Sequence, residues 1–184
     1  MRFNKVISAT LAIGMMFCEF TGCEGGGGSG SDGSKSGSSH STPEAAIESL
    51  YDAFNNKKAE KIIEQVYPSD FLKAMKKYED GEEYDDLVEG VESSLENLSD
   101  RYGSDFKITY EIDSKKKMDD DDLEDYQEDI DDAYEELELK ASKVTGGYVF
   151  SLNMEIKGSE KSEEDDAEFE VIQLDGSDWY CLDF

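Results

Sequence analysis

The chain has 184 residues, and 46 aspartates and glutamates against 18 lysines and arginines give it a formal net charge of -28. Nucleic acid and anionic lipid head groups select basic patches, so both are excluded as electrostatic partners. Three cysteines are too few for a disulfide-stapled scaffold.

The first element in chain order is an apolar run at 6–17, placed behind Arg2 and Lys5. Its 12 residues are too few to cross a hydrocarbon core of about 30 Å, and they match the hydrophobic region of an export signal instead. Phe20-Thr21-Gly22-Cys23 resembles a lipobox, the sequence at which bacterial exporters attach diacylglycerol to a cysteine, cut before it and acylate the new amino terminus. The expectation is a lipoprotein signal peptide over 1–22, with Cys23 as the lipid attachment site and the cell membrane, on its extracytoplasmic face, as the location. Ordinary secretory cleavage is the alternative. Cys18 follows Met16 and Phe17, whose bulk makes it a poorer acceptor. Two or three acyl chains, at about 0.8 kcal/mol per buried CH₂, hold a protein on a bilayer durably.

After Cys23 the chain is built almost wholly of Gly and Ser up to residue 41. Such a stretch buries too little apolar surface to offset the entropy of ordering, so 23–41 reads as a tether. As a flexible coil it reaches roughly 20 to 25 Å, enough to float a domain clear of the head groups. The only histidine, His40, lies in it. A domain that begins at Thr42 therefore has no imidazole for Ser-His, Cys-His or His-metal chemistry.

Residues 42–184 are the length of one domain. Thr42-Pro43-Glu44 offers a capping hydroxyl, a proline at the first helical position and a carboxylate at the positive end of the dipole, which predicts a helix start. Ala46, Ile47, Leu50, Tyr51 and Phe54 recur at helical spacing, and Asn55-Asn56 closes the element. Ala59, Ile62, Ile63 and Val66 predict a short second helix that stops before Pro68. Ser69 is expected to cap a third, with Phe71, Leu72, Met75 and Tyr78 inward. The fourth and longest carries Tyr84, Leu87, Val88, Val91, Leu95, Leu98 and Tyr102 on one face, and Gly103 ends it.

The period then changes to two. Phe106, Ile108, Tyr110 and Ile112 predict a strand with one buried face. Asp119, Asp120, Asp121 and Asp122 head another helical stripe, formed by Leu123, Tyr126, Ile130, Ala133, Tyr134 and Leu137. Tyr148, Phe150, Leu152, Met154 and Ile156 predict a long strand that starts near Val144, with Gly146-Gly147 as a bulge or kink. Residues 159–166 read as a polar connection. Phe169, Val171 and Gln173 on one face, with Ile172 and Leu174 on the other, predict a third strand. Asp175-Gly176-Ser177 is a turn, and 179–184 a last strand.

Helices followed by strands that pair with their sequence neighbours define an α+β fold, in which N-terminal helices pack on an antiparallel sheet. The order of elements, the Thr42-Pro43-Glu44-Ala45-Ala46 opening, the Tyr67-Pro68-Ser69 break and the closing Leu174-Asp175-Gly176-Ser177-Asp178-Trp179-Tyr180 resemble the nuclear transport factor 2-like (cystatin-like) domains of bacterial surface lipoproteins. The acidic helix between the first two strands is similar to one uncharacterised Gram-positive subgroup. The resemblance spans nearly all of 42–184. It implies a curved sheet wrapped around a long helix to form a cone, and it carries few functional residues with it.

Enzymes of that superfamily, such as ketosteroid isomerase, keep a pocket at the open end of the cone and use a buried acid or His with a Tyr as donor. By analogy Tyr51, Tyr110 or Trp179 would line such a cavity; at their spacing they also read as core. For metals the acid-rich candidates are Asp119, Asp120, Asp121 and Asp122, then Asp129 with Asp131 and Asp132, and Glu163, Glu164, Asp165 and Asp166. None has calcium-loop spacing, and consecutive helical acids diverge. No phosphate-binding loop or nucleophile elbow occurs in the domain. The expectation is a non-catalytic binding or scaffolding domain without cofactor or metal. Its partners would be the membrane, through the anchor, and a surface protein or small ligand. A pocket acid-base enzyme acting on an apolar molecule and a weakly cation-responsive surface protein are the alternatives.

Overall fold

The computed structural model describes residues 41–181; the leader, Cys23, most of the tether with His40, and Leu182, Asp183 and Phe184 lie outside the described residues. The element order is α1 (Pro43–Asn55), α2 (Ala59–Val66), α3 (Ser69–Met75), a 3₁₀ turn (Tyr78–Gly81), α4 (Glu82–Tyr102), β1 (Lys107–Lys117), α5 (Asp120–Glu136), β2 (Val144–Lys157), β3 (Ser162–Leu174) and β4 (Asp178–Tyr180). The strands form one open sheet, ordered β1-β2-β3-β4 and antiparallel throughout. The α+β class read from the sequence is therefore correct.

Local chemistry sets the element ends. The Thr42 hydroxyl accepts from the Ala45 N–H at 3.1 Å, and Pro43 opens α1. Asp119 caps α5, and Asp122 returns a bond to the Asp119 N–H, a reciprocal pair that satisfies two donors the helix itself leaves free. Gly103 ends α4, its N–H bonded to the Ser99 carbonyl.

Alternation along the strands divides the sheet into two faces. Ile108 and Tyr110 of β1, Phe150, Leu152, Met154 and Ile156 of β2, and Phe169 and Val171 of β3 share one of them. That face meets α1, as the contact of Tyr51 with Met154 shows. The opposite face meets α5, whose Tyr126 hydroxyl bonds to Glu170. Gly147 makes this approach possible: a Cβ there would run into the Met118 sulfur and come within 2.9 Å of Leu123 Cδ2. The core between the helices and the sheet includes Ile47, Phe54, Ile62, Phe71, Leu95, Tyr102, Phe106, Phe150 and Val171.

Several expectations need correction. The cap residue of α3 is Pro68, whose carbonyl accepts from the Leu72 N–H, and Ser69 is the first helical residue. Tyr78 belongs to the 3₁₀ turn rather than to α3. Val88 is only partly buried. Ile112 is 41 % exposed, because the register shifts between Ile112 and Ser114 and the bulge bends the edge strand there. The polar connection shrinks to 158–161. Glu163, Glu164, Asp165 and Asp166 belong to β3, paired with Ile156, Glu155, Met154 and Asn153. The shift in β2 falls between Val144 and Gly146, and β4 covers only three residues.

Candidate functional site

The aromatic residues singled out above sit on the α1 side of the sheet, but in two separate groups. Tyr51 points from α1 into the sheet, 2 % exposed, and donates its hydroxyl proton to the Met154 sulfur at 2.6 Å. Its ring stacks on Tyr110 with centroids 4.5 Å apart and tilts against Phe169 at 5.7 Å. Trp179, on β4, packs instead against Tyr148 at 5.5 Å and borders Gly146. Tyr110 lies opposite Met154, whereas Trp179 lies opposite Gln173 in the row of Gly146. Those rows are eight residues apart on β2, roughly 26 Å along the strand. Tyr51 and Tyr110 are brought together; Trp179 is not brought to them.

Cys181 completes the first group, 4 % exposed and without a disulfide partner. Burial pushes its thiol up to about 12, so it stays protonated and is a poor nucleophile. Burial also raises the Tyr51 hydroxyl well above its ordinary value, with the Cys181 and Tyr110 charges adding to it. Tyr110 is pushed up to about 12, again by burial first and then by Glu48 and Asp52. All three groups therefore act as donors or as packing surface, and none is poised as a base.

The acidic runs serve local structure. Asp119 and Asp122 form the α5 cap. Asp131 accepts from Gln127, whose amide also bonds to the Ser142 carbonyl and the Val144 N–H, tying α5 to the start of β2. Glu163 takes bonds from Tyr102 at 2.6 Å, Arg101 at 3.0 Å and Lys161 at 3.0 Å. Among the described residues no group of three or more His, Cys, Asp or Glu side chains is placed to hold a metal ion, and no helix is long and apolar enough to cross a membrane.

Sequence reasoning missed Glu83. Among the described residues it is the sole buried charged side chain, 9 % exposed, and its Oε2 has no hydrogen-bond partner. Burial pushes its carboxyl up to about 7, and the charges of Glu79, Glu136 and Asp86 add to the effect. The signal was present: Glu83 lies four residues before Leu87, on the stripe that α4 turns to the core.

Comparison of the chain with protein-family models, with curated proteins and with solved structures finds no match in any of the three.

Proposed function

We propose that this protein is a lipid-anchored domain on the extracytoplasmic face of a cell membrane, which binds or spaces other surface components and performs no chemistry. The observation that carries the anchor is Phe20-Thr21-Gly22-Cys23 behind a short apolar run and ahead of a Gly/Ser tether. A cone of the nuclear transport factor 2-like kind is part of the same proposal. The two register shifts, in β1 and β2, support a bent sheet, because bulges raise local twist and curvature.

The binding role rests on the aromatic group over the sheet. Tyr51 spends its hydroxyl on a methionine sulfur and its ring on Tyr110 and Phe169. A pocket enzyme of the related kind would aim that hydroxyl at a substrate oxygen beside a buried acid. With its interior given to packing, the domain has its outer surface left for recognition.

Fractionation of the native host tests the anchor. Cys23→Ser should move the protein from the membrane to the soluble fraction, and metabolic labelling with a radioactive fatty acid should mark the wild type alone. Membrane retention of the variant would sink the reading.

A further inference from the structure

Glu83 sits in the first turn of α4, where a carboxylate is ordinarily favoured by the helix dipole and by water. Here the side chain is only 9 % exposed, and Oε2 accepts from no group. The groups around it are of its own sign and come from three elements. Glu79 lies on the 3₁₀ turn, Asp86 one turn further along α4, and Glu136 at the end of α5. Tyr78 marks the same spot: its hydroxyl is raised by burial and then by Glu79, Glu83, Glu136 and Glu138. Of the lysines on α3 and just beyond it, Lys76 holds its ammonium over the Tyr84 ring at 4.2 Å, and Lys73 and Lys77 are exposed. The backbone is costly here as well. Glu79, Asp80 and Gly81 follow one another with φ of 44°, 60° and 87°, and Glu138 leaves α5 with φ of 56°. Left-handed residues persist only where surrounding contacts hold them.

What relieves a buried, unpartnered oxygen among carboxylates has to fit against an oxygen that itself reaches no solvent. An ammonium group or a hydrated cation does not, and the described acids do not converge as metal ligands. A proton does. Protonated, the Glu83 carboxyl no longer carries the charge that its neighbours repel and gains a donor. We propose that the junction between the start of α4 and the end of α5 is a proton-operated latch, closed when Glu83 carries its proton and loosened when it gives the proton up.

The direction in pH follows from burial. A carboxyl whose pKa is raised by folding contributes its stabilisation fully below the unfolded value, here 4.5, and loses it as pH rises through about 7. The latch is therefore shut near pH 4.5 and loosens progressively as pH rises to about 7. The 3₁₀ turn is released from the end of α5, while the sheet stays paired. The device is independent of the anchor and of the binding role.

Trypsin reports the latch, because Lys76 and Lys77 border the turn. Cleavage after them is compared in full-length wild type and Glu83→Gln at each pH, so that the protease's own pH dependence cancels in the ratio. The ratio of wild-type to variant cleavage should rise at least about fivefold between pH 5.5 and pH 8.5. A second variant, Glu136→Gln on the exposed side of α5, should shift the midpoint of this rise to lower pH and reduce its size, since removing one repelling neighbour lowers the pKa of Glu83 and makes its ionised state less costly. A ratio that is the same at both pH values, or an unshifted midpoint in Glu136→Gln, would overturn the proposal. Carboxyl carbon resonances give the complementary reading: Glu83 should titrate near 7, with a lower midpoint in Glu136→Gln, and an ordinary glutamate titration would also refute it.

Discussion

The side-chain amide of Asn55 exchanges two hydrogen bonds with the backbone of Ile108: Nδ2 donates to the Ile108 carbonyl and Oδ1 accepts from the Ile108 N–H, each at 2.8 Å. The last residue of α1 thus behaves as one residue of a further strand and closes the first stretch of the β1 edge, which no strand covers among the described residues. Lys107 adds a bond from its ammonium to the Asn55 carbonyl at 3.1 Å. Open edges recruit other chains, and they are commonly blunted by a covering group, a bulge or lysines. This edge has Asn55 at one end, the bulge after Ile112 in the middle and Lys115, Lys116 and Lys117 at the other end.

Asn55→Ala should leave the Ile108 N–H and carbonyl unpaired and lower stability by about 1 to 3 kcal/mol in urea unfolding. Its purified form should also self-associate more than the wild type in light scattering, since part of the edge is uncovered. A change within a few tenths of a kcal/mol, with no added association, would show that the amide neither supports nor guards β1.

The face of α4 gives a paired prediction. Leu95 is buried beneath the helical layer and Glu92 is exposed. Leu95→Ala should cost about 2 to 5 kcal/mol, the range for removing a buried leucine side chain. Glu92→Gln should change stability by less than about 0.5 kcal/mol. Similar losses from the two would mean that the helix presents a different stripe to the core.

These elements also show where the sequence was readable. The opening of α1 is legible because Thr42, Pro43 and the Ala45 N–H complete their chemistry within four residues of chain. The first half of β3 is not: Glu163, Glu164, Asp165 and Asp166 carry no alternating apolar signal, and their strand conformation comes from β2, which needs a partner along its full length. Asn55 reads as a helix stop, while its second role depends on Ile108, 53 residues away. Glu83 has the spacing of a core position, but a carboxylate in a first turn reads equally well as a complement to the dipole. For β3 and Asn55 the deciding partner is distant in sequence.

Cys181 should be invisible to thiol reagents in the folded protein. With Cys18 and Cys23 replaced by serine, labelling by an aromatic disulfide should be at least about a hundredfold slower than in denaturant. It should stay slow at about pH 9 and show no levelling-off near pH 8.5, because burial holds the thiol up to about 12. Rapid labelling of native protein that follows thiolate formation near pH 8.5 would show the β4 end to be open.

Glu163 joins the end of α4 to the start of β3, and its pH behaviour is opposite to that of Glu83. Burial alone would raise its carboxyl, but the bonds from Tyr102 and Lys161 and the Arg101 charge outweigh that and hold it below the usual 4.5. The neighbouring turn fits tightly, since a Cβ at Gly158 would collide with the Tyr102 carbonyl oxygen and Asp105 takes the Ser159 N–H at 2.9 Å. A lowered carboxylate pKa stabilises above the unfolded value, and the contribution is lost as pH falls through the folded one. Arg101 and Lys161 are partly exposed, 31 % and 44 % at the side chain, so solvent screening limits the effect to about 1 kcal/mol near pH 7. Glu163→Gln should therefore be about that much less stable than wild type near neutrality, and the gap between the two should close as pH falls through the lowered carboxyl value. A gap that persists at low pH would assign the loss to packing around Tyr102 rather than to the carboxylate's charge.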